Sequence, residues 1–331
     1  MEKTDGESPP SKTCGSCRRL GTDLKICTAC RSVHYCDVSC QKAHRKAHKD
    51  DCKEIAHAKE VMEEFKANLM TEECPICMMR LPLGADEHLY QACCGKTICR
   101  GCLIASEKAQ SEDLTDPYPP CAFCRRPPPS SLEELLEQLD ERIDEYKDPM
   151  AVIAMAGMYH VGDIVPKDDK KYFEYSVKAS DMGNVYGMHS VANCYMNGEV
   201  VPIDEKKAKI YFEMAAKNGH VEALVELARI HSENFVVSAG YFRLAAENGE
   251  EESMEYLKRW YRSHANATSD HSDYCDCDSC KILNTKGLLT KDDLAVTIRA
   301  FHSAQEELRS DERDLAREEV ESLDHNAQGT M

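Results

Sequence analysis

The spacing of apolar residues predicts that the second half of the chain is helical. From Leu132 onward, apolar residues recur every three or four positions, as the buried face of an α-helix requires. Ser131 precedes the first of these helices and has Glu134 three residues later, a pair that is typical of a helix N-cap. Similar spacing predicts an amphipathic linker helix over Glu54–Met70, within residues 53–73.

The helical half contains an internal repeat of 36 residues. A third copy, from Val221 to Gly249, is about six loop residues shorter, and a helix around Trp260 is expected to cap the array. Each copy fits two antiparallel helices, with alanine where helices approach and glycine at helix ends. Cys194 falls in an apolar row, so we predict a buried thiol. The recurring positions are Tyr159, Gly162, Pro166, Asp168, Ala179 and Gly183, then Tyr195, Gly198, Pro202, Asp204, Ala215 and Gly219.

This pattern resembles Sel1-like repeats, which are related to tetratricopeptide units. The resemblance implies an all-α solenoid over residues 131–262 whose extended concave face binds a larger protein partner. A polar loop over 263–290 and a charged amphipathic helix over 291–323 are predicted to follow, and residues 324–331 are expected to be disordered.

Cysteine is concentrated in two blocks, which hold 15 of the 19 cysteines. Each block offers eight soft ligands, which is enough for two tetrahedral zinc ions. Residues 1–13 are expected to be disordered and lack the apolar core of a secretion signal, and no stretch approaches the roughly 20 apolar residues that span a bilayer. We therefore expect an intracellular protein, cytoplasmic or nuclear, whose reduced thiols bind zinc and do not form disulfides.

The formal net charge of −18 argues against a phosphate backbone as the main partner. Residues 1–53 are an exception, with 11 Lys and Arg against 7 Asp and Glu. A basic patch around Arg45, Lys46 and Lys49 is interpreted as a solvated helix face in preference to a nucleic-acid contact.

The first block covers residues 14–52 and suggests interleaved pairs of ligands. Cysteines two residues apart can share an ion in a tight turn, and ligands four positions apart share one face of a helix. The expected sets are Cys14, Cys17, Cys36 and Cys40 for zinc 1, and Cys27, Cys30, His48 and Cys52 for zinc 2.

This order and spacing, with Tyr35 before Cys36, resembles a MYND-type zinc finger. The resemblance implies a module that binds proline-containing peptides and has no catalytic role. MYND fingers also accompany SET methyltransferase domains, but the chain carries no SET-like Asn-His-Ser-Cys motif.

The second block, residues 74–126, resembles a RING finger with a variant centre. The resemblance assigns Cys74, Cys77, Cys99 and Cys102 to zinc 3, and Cys94, Cys121 and Cys124 to zinc 4. Lys96 stands where the family commonly has a histidine ligand, and a protonated lysine has no lone pair to donate. We favour Cys93 as the fourth ligand; His88 is a weaker candidate, and an incomplete fourth site is the remaining alternative.

The RING resemblance also raises ubiquitin-ligase activity as an alternative function. A RING ligase forms no covalent intermediate and orients a ubiquitin-charged conjugating enzyme. Ile76, Leu103 and Arg125 stand at positions that contact that enzyme in the family, whereas Ala122 replaces a usual proline. We therefore interpret the chain as an adaptor, with a RING-type ubiquitin-protein ligase as the alternative.

The sequence predicts a multidomain fold, with two small zinc-stabilised, cross-braced α+β fingers followed by an all-α helical-repeat solenoid. Four Zn²⁺ ions, protein partners and no membrane association are expected. A further metal site made of Cys275, Cys277 and Cys280 with His264 or His271 is the alternative to a metal-free loop, and we favour the metal-free loop.

Overall fold

A computed structural model of the chain describes residues 12–69, 72–83, 87–110, 120–265, 291–310 and 313–314. These residues divide into two compact units that are discontinuous in sequence. The first unit combines the chain up to Ala67 with Leu224–Phe301, and the second combines Asn68–Ala223 with the residues from His302 onward. None of the described helices is long and apolar enough to cross a bilayer.

The first unit begins with short strands and one long helix. The strands form two antiparallel pairs, β1 with β2 and β3 with β4. Asp37 accepts a hydrogen bond from the amide of Cys40 at 2.8 Å, as expected at a helix N-terminus. The elements are β1 (Lys12–Thr13), β2 (Leu20–Gly21), β3 (Lys25–Ile26), β4 (His34–Tyr35) and α1 (Val38–Ala67).

Two boundaries predicted from the sequence were wrong in this region. The linker helix is the continuation of a helix that begins at Val38 inside the first cysteine block, because no glycine or proline interrupts residues 38–67. The disordered N-terminus was predicted to reach residue 13, but residues 12–13 pair with residues 20–21.

A helix from later in the chain packs on the second half of α1. Helix α9 (Phe235–Glu247) contacts α1, and Glu54 of α1 binds His231 and, at 2.6 Å, Asn234. A Cβ atom at Gly240 of α9 would lie 2.7 Å from the terminal methyl of Met62, so glycine allows the two helices to approach. The buried positions of α1 here are Ile55, Ala58, Val61 and Phe65.

Helices α8 and α10 flank α9 in the sequence. Helix α8 (Val221–Ile230) crosses the boundary between the units at Leu224, and α10 (Glu251–Ala265) packs on α9. The expected final helix around Trp260 is therefore present, and the indole stacks on Phe235 with ring centroids 4.4 Å apart. Helix α10 continues three residues beyond the repeat boundary predicted at residue 262.

The second unit opens with an antiparallel hairpin of β5 (His88–Gln91) and β6 (Lys96–Cys99), followed by α2 (Arg100–Gln110). Ser131 accepts a hydrogen bond from the amide of Glu134 at 3.2 Å, which confirms the predicted N-cap of α3. Consecutive helices then pack on one another. They are α3 (Leu132–Asp144), α4 (Pro149–Val161), α5 (Asp169–Asp181), α6 (Val185–Asn197) and α7 (Glu205–Lys217).

The 36-residue repeat is visible in the caps of these helices. Asp168 and Asp204 each accept a hydrogen bond from the amide three residues later, at 3.0 Å, and begin α5 and α7. Gly162 and Gly198 end α4 and α6 in the left-handed conformation, with φ of 81° and 74°. Cys194 is buried as predicted. The predicted fold class, a small strand-poor finger region followed by a helical solenoid, is confirmed.

The charged helix α11 (Lys291–Leu308) ends earlier than the predicted residue 323. Ser310 explains the break, because its side chain accepts from the amide of Arg313 at 3.2 Å and its carbonyl from the amide of Asp314 at 2.9 Å, so a new turn starts there. Residues 266–290, including Cys275, Cys277, Cys280 and His271, lie outside the described residues, as do residues 1–11 and 315–331. His264 lies in α10, and its side chain is outside the description.

Two glycines of the repeats provide a matched test of helix packing. A Cβ atom at Gly187 would lie 2.6 Å from the amide nitrogen of Ser180, whereas one at Gly157 would meet nothing within 4 Å. We expect Gly187→Ala to lower the free energy of unfolding by about 1–3 kcal/mol. Gly157→Ala should leave it unchanged or raise it by up to about 1 kcal/mol. Urea denaturation followed by circular dichroism measures both, and equal effects would contradict the packing.

Two stacked histidines make the stability of the second unit depend on pH. His189 and His220 have ring centroids 4.6 Å apart, and Glu222 lies 3.3 Å from Nδ1 of His220. Burial lowers the pKa of His220 to about 4; burial and then His220 lower the pKa of His189 to about 3. Unfolded histidine titrates near pH 6.5, so this contribution to stability is complete above that pH and is lost as the pH falls toward the folded values.

We expect His220→Asn to reduce the loss of stability between pH 7 and pH 5 by about 2 kcal/mol. Asparagine retains an acceptor for the amide of Ala223, which now donates to His220 Nδ1 at 3.3 Å, but it does not titrate. Urea midpoints of both proteins at the two pH values provide the measurement. If the variant loses as much stability between pH 7 and pH 5 as the wild type does, His220 is not the cause of the pH dependence.

Candidate metal centres

The structure brings the cysteine and histidine ligands together in four clusters, and the ligand atoms of each lie within 4.8 Å of one another. Cys93 belongs to the fourth cluster, whereas Lys96 and His88 do not. The clusters are Cys14, Cys17, Cys36 and Cys40; Cys27, Cys30, His48 and Cys52; Cys74, Cys77, Cys99 and Cys102; and Cys93, Cys94, Cys121 and Cys124.

The distances within the clusters fit tetrahedral zinc. Sulfurs bound at roughly 2.3 Å to a tetrahedral ion lie about 3.8 Å apart. The sulfurs of Cys27 and Cys52 are 3.7 Å apart, and those of Cys77 and Cys99 are 3.8 Å apart. In the fourth cluster, the Cys94–Cys121 distance is 3.9 Å and the Cys93–Cys124 distance is 3.5 Å. The chemistry of the ligands and their spacing therefore both suit zinc.

Four of the ligand pairs are each followed by the same type of turn, which the sequence analysis did not predict. In these four Cys-x₂-Cys pairs, the residue after the second cysteine has a positive φ and its amide donates to the carbonyl of the first cysteine, at 2.8–3.0 Å. Such a conformation costs a residue other than glycine roughly 1–2 kcal/mol, so the ligand geometry must outweigh that cost. These residues are Arg18 (φ 63°), Arg31 (52°), Met78 (57°) and Arg125 (62°).

Burial and hydrogen bonds shift the pKa values of the cysteines in these clusters. The hydrogen bond from Cys99 lowers the pKa of Cys74 to about 4. Burial raises the pKa of Cys14, but hydrogen bonds from the amides of Cys17 and Cys36 outweigh it and lower the value to about 6. Metal binding requires thiolate, and the lowered pKa values of Cys74 and Cys14 favour that form.

A histidine outside the ligand set orients the histidine ligand. Tyr35 and His44 are joined by a hydrogen bond of 3.0 Å between the hydroxyl and Nδ1. The ring of His44 stacks on that of His48 at a centroid distance of 5.5 Å and an angle of 7°. Nε2 of His48 then lies 3.4 Å from the sulfur of Cys30. Tyr35, which is almost fully buried, thereby helps to align a ligand.

Cations from helices hold the ligand turns in place, and sequence reasoning missed them. Lys59 of α1 donates to the carbonyl of Cys30 at 2.7 Å and to Ser32 at 3.0 Å. Arg142 of α3 donates to the carbonyls of Ala92 and Cys93 at 3.1 and 3.2 Å. Spacing rules for ligands do not identify these cations, because the two residues of each contact are 29 or about 50 positions apart in sequence.

The positions that relate the second finger to a RING ligase are partly exposed. Ile76 is 41% exposed and Arg125 is exposed, whereas Leu103 is half-buried beside the core of Cys74, Leu81, Ile98 and Cys99. Ala122 is half-buried in the same core.

Comparison with known families identifies two kinds of module. Residues 14–52 match the MYND finger. Residues 149–184 and 185–220 each match the Sel1 repeat. The first two helix pairs of the solenoid are thus Sel1 repeats, and the first two clusters belong to a MYND finger. Zinc binding by the MYND finger and a role in binding proteins follow from these matches.

Curated relatives resemble a short part of the chain. SET domain-containing protein 14 of Caenorhabditis elegans is 41% identical over 51 residues, which is 15% of this chain and 12% of that protein. Histone-lysine N-methyltransferase ASHR1 of Arabidopsis thaliana is 38% identical over 52 residues, which is 16% of this chain and 11% of that protein. The matched part thus spans about a tenth of these relatives' length.

Solved structures also resemble about half of the chain. A Sel1 repeat protein from Oxalobacter formigenes has a TM-score of 0.38 and 19% identity, covering 52% of this chain and 64% of that one. The antigen c5321 of uropathogenic Escherichia coli, which displays an SLR fold, has a TM-score of 0.36 and 22% identity, covering 51% and 40%.

The assignment of Cys93 leads to a direct test. Cys93→Ser should reduce the zinc content of the full chain by one ion per molecule, because serine is a poor ligand for zinc. Lys96→Ala should leave the content unchanged. Native mass spectrometry counts the bound ions. Loss of an ion from the Lys96 variant, or full occupancy in the Cys93 variant, would contradict the assignment.

Proposed function

We propose that the protein is a zinc-dependent adaptor that binds four structural zinc ions, through the four ligand sets above, and carries no catalytic residue of its own. The MYND finger binds a short proline-containing peptide, and the repeats bind a larger protein. A groove beside the second cluster supports the first part of this proposal. It has a volume of about 480 Å³ and is lined by Tyr35, Val38 and residues of α1.

The groove combines an apolar contact with a basic rim. Val38 is 54% exposed at the start of α1 and offers the apolar contact. Lys42, Arg45, Lys49 and Lys53 follow it along one face of α1 and line the groove. They are exposed, and within the described part of the chain none of them forms an ion pair. This arrangement suits a peptide with a proline and an apolar anchor next to acidic residues.

Fluorescence anisotropy with two labelled peptides tests the groove. Both peptides carry the same proline–leucine core, flanked by glutamates in one and by lysines in the other. We expect the acidic peptide to bind more tightly and to lose affinity as salt is raised. Arg45→Glu with Lys49→Glu should weaken it by about tenfold, since each exposed ion pair contributes roughly 0.2–1 kcal/mol.

Lys46→Glu is the matched control, because Lys46 is exposed on the same helix but does not line the groove. The proposal is wrong if this variant weakens binding as much as the double variant, or if neither peptide binds.

The repeats offer a second surface in the second unit. A groove of about 900 Å³ is lined by apolar residues of α3 and α4, including Leu135, Ile153 and Met158, and by the segment Pro127–Pro129. Gly157 opens its floor, since a Cβ atom there would meet nothing within 4 Å. These features support a larger partner on the repeats.

Ubiquitin ligation is the alternative function, and the exposure of Ile76 and Arg125 favours it. The conjugating enzyme would be oriented by Ile76, Leu103 and Arg125. Ubiquitin-chain formation with a broad panel of conjugating enzymes distinguishes the two functions. Under the ligase alternative, Ile76→Ala and Arg125→Ala each lower the rate at unchanged zinc content. Under the adaptor proposal, no conjugating enzyme is stimulated.

A further inference from the structure

The third metal cluster is contacted by an arginine from the far end of the chain. Arg313 is only 4% exposed and lies in the helical turn that Ser310 caps. Its Nη1 donates to the carbonyl of Arg80 at 2.7 Å and to that of Leu308 at 2.9 Å. Its Nη2 lies 3.5 Å from both the sulfur of Cys77 and the carbonyl of Met79. One guanidinium therefore holds both a metal ligand and the turn that follows it.

Close backbone packing fixes this arginine from the other side. A Cβ atom at Gly101 would lie 2.9 Å from the amide nitrogen and from Cγ of Arg313, and 3.0 Å from its Cα. Gly101 stands directly before the ligand Cys102 in α2. Ala304 and Leu308 at the end of α11 are also buried. Residues 304–310 and Arg313 therefore belong to the same unit as the second finger.

The negative charge of a thiolate cluster explains why a buried arginine is favourable beside it. Four thiolates around one Zn²⁺ leave two negative charges in excess, and Cys74 and Cys99 are fully buried. A buried guanidinium is itself costly unless it is paired and hydrogen-bonded. At this site carbonyls accept from both Nη atoms and the thiolates provide the counter-charge, while the buried Nε has no hydrogen-bond partner among the described residues. Arg142 holds the turn of the fourth cluster in a similar way, although through carbonyls alone.

We propose that Arg313 is a positioning residue of the third metal centre, so that a segment 236 residues from Cys77 is required for firm metal retention by the second finger. Neither the ligand spacing nor the matched families include this residue. Residues that hydrogen-bond to metal ligands typically change metal affinity by 10- to 100-fold when they are replaced.

The test compares variants of the zinc-loaded full chain. Each is exposed to a chelator and a thiol-alkylating reagent, and mass spectrometry follows the alkylation rate of every cysteine. Arg313→Gln removes the charge, and Gly101→Ala displaces the arginine without touching it. Alanine has the higher helix propensity, so faster alkylation in that variant is attributable to the displaced contact. Arg309→Gln is the matched control, because Arg309 is exposed and its ion pair is with Asp314.

We expect Arg313→Gln and Gly101→Ala to accelerate alkylation of the third-cluster cysteines by tenfold or more. Arg313→Lys should restore part of the protection, since it returns the charge but not the planar fork of donors. Cysteines of the first finger should react at the wild-type rate in every variant, and Arg309→Gln should match wild type throughout. The proposal is overturned if Arg313→Gln changes third-cluster rates by less than twofold. It is also overturned if first-finger cysteines accelerate equally, or if lysine protects no better than glutamine.

Discussion

The convergence of thiol and imidazole side chains in four clusters that suit zinc is the arrangement on which the first third of this protein depends. Its strands are two to four residues long, and the finger cores hold few large apolar side chains. Structural zinc contributes on the order of 10–16 kcal/mol in finger peptides near neutral pH, which such short elements cannot supply through packing. The four left-handed turns after Cys17, Cys30, Cys77 and Cys124 are local costs that this binding energy offsets.

Several thiolates in one cluster concentrate negative charge, and cationic side chains from helices lie close to the clusters. Lys59, Arg142 and Arg313 each direct their donors at the carbonyls of a ligand turn. None of the three belongs to a ligand pair, and all three lie outside the residues of the finger that they hold. Each finger is therefore part of a larger packed unit and is not an independent domain. The division of the described residues, which joins each finger to helices distant in sequence, reflects the same physics.

Two surfaces support the proposed adaptor function: a basic groove on the MYND finger and an apolar groove on the repeats. The chain is acidic as a whole, yet the groove of the MYND finger carries four basic side chains without ion pairs among the described residues. The repeats bury their alanines and aromatic residues between helices and leave an apolar groove in the second unit. Both surfaces suit protein partners of different chemistry, which is what a chain with two kinds of binding module requires.

The sequence by itself determined the ligand sets, the order of the modules and the helical repeat, because metal-ligand spacing and helix periodicity are local properties. It predicted the N-cap at Ser131 and the burial of Cys194 for the same reason. It misplaced the start of α1 and the end of α11, since nothing in the apolar pattern marks Asp37 or Ser310 as a cap. Tertiary structure alone decided that Gly101 must be glycine and that Arg313 reaches Cys77. Those outcomes depend on contacts between residues far apart in the chain, for which local spacing holds no information.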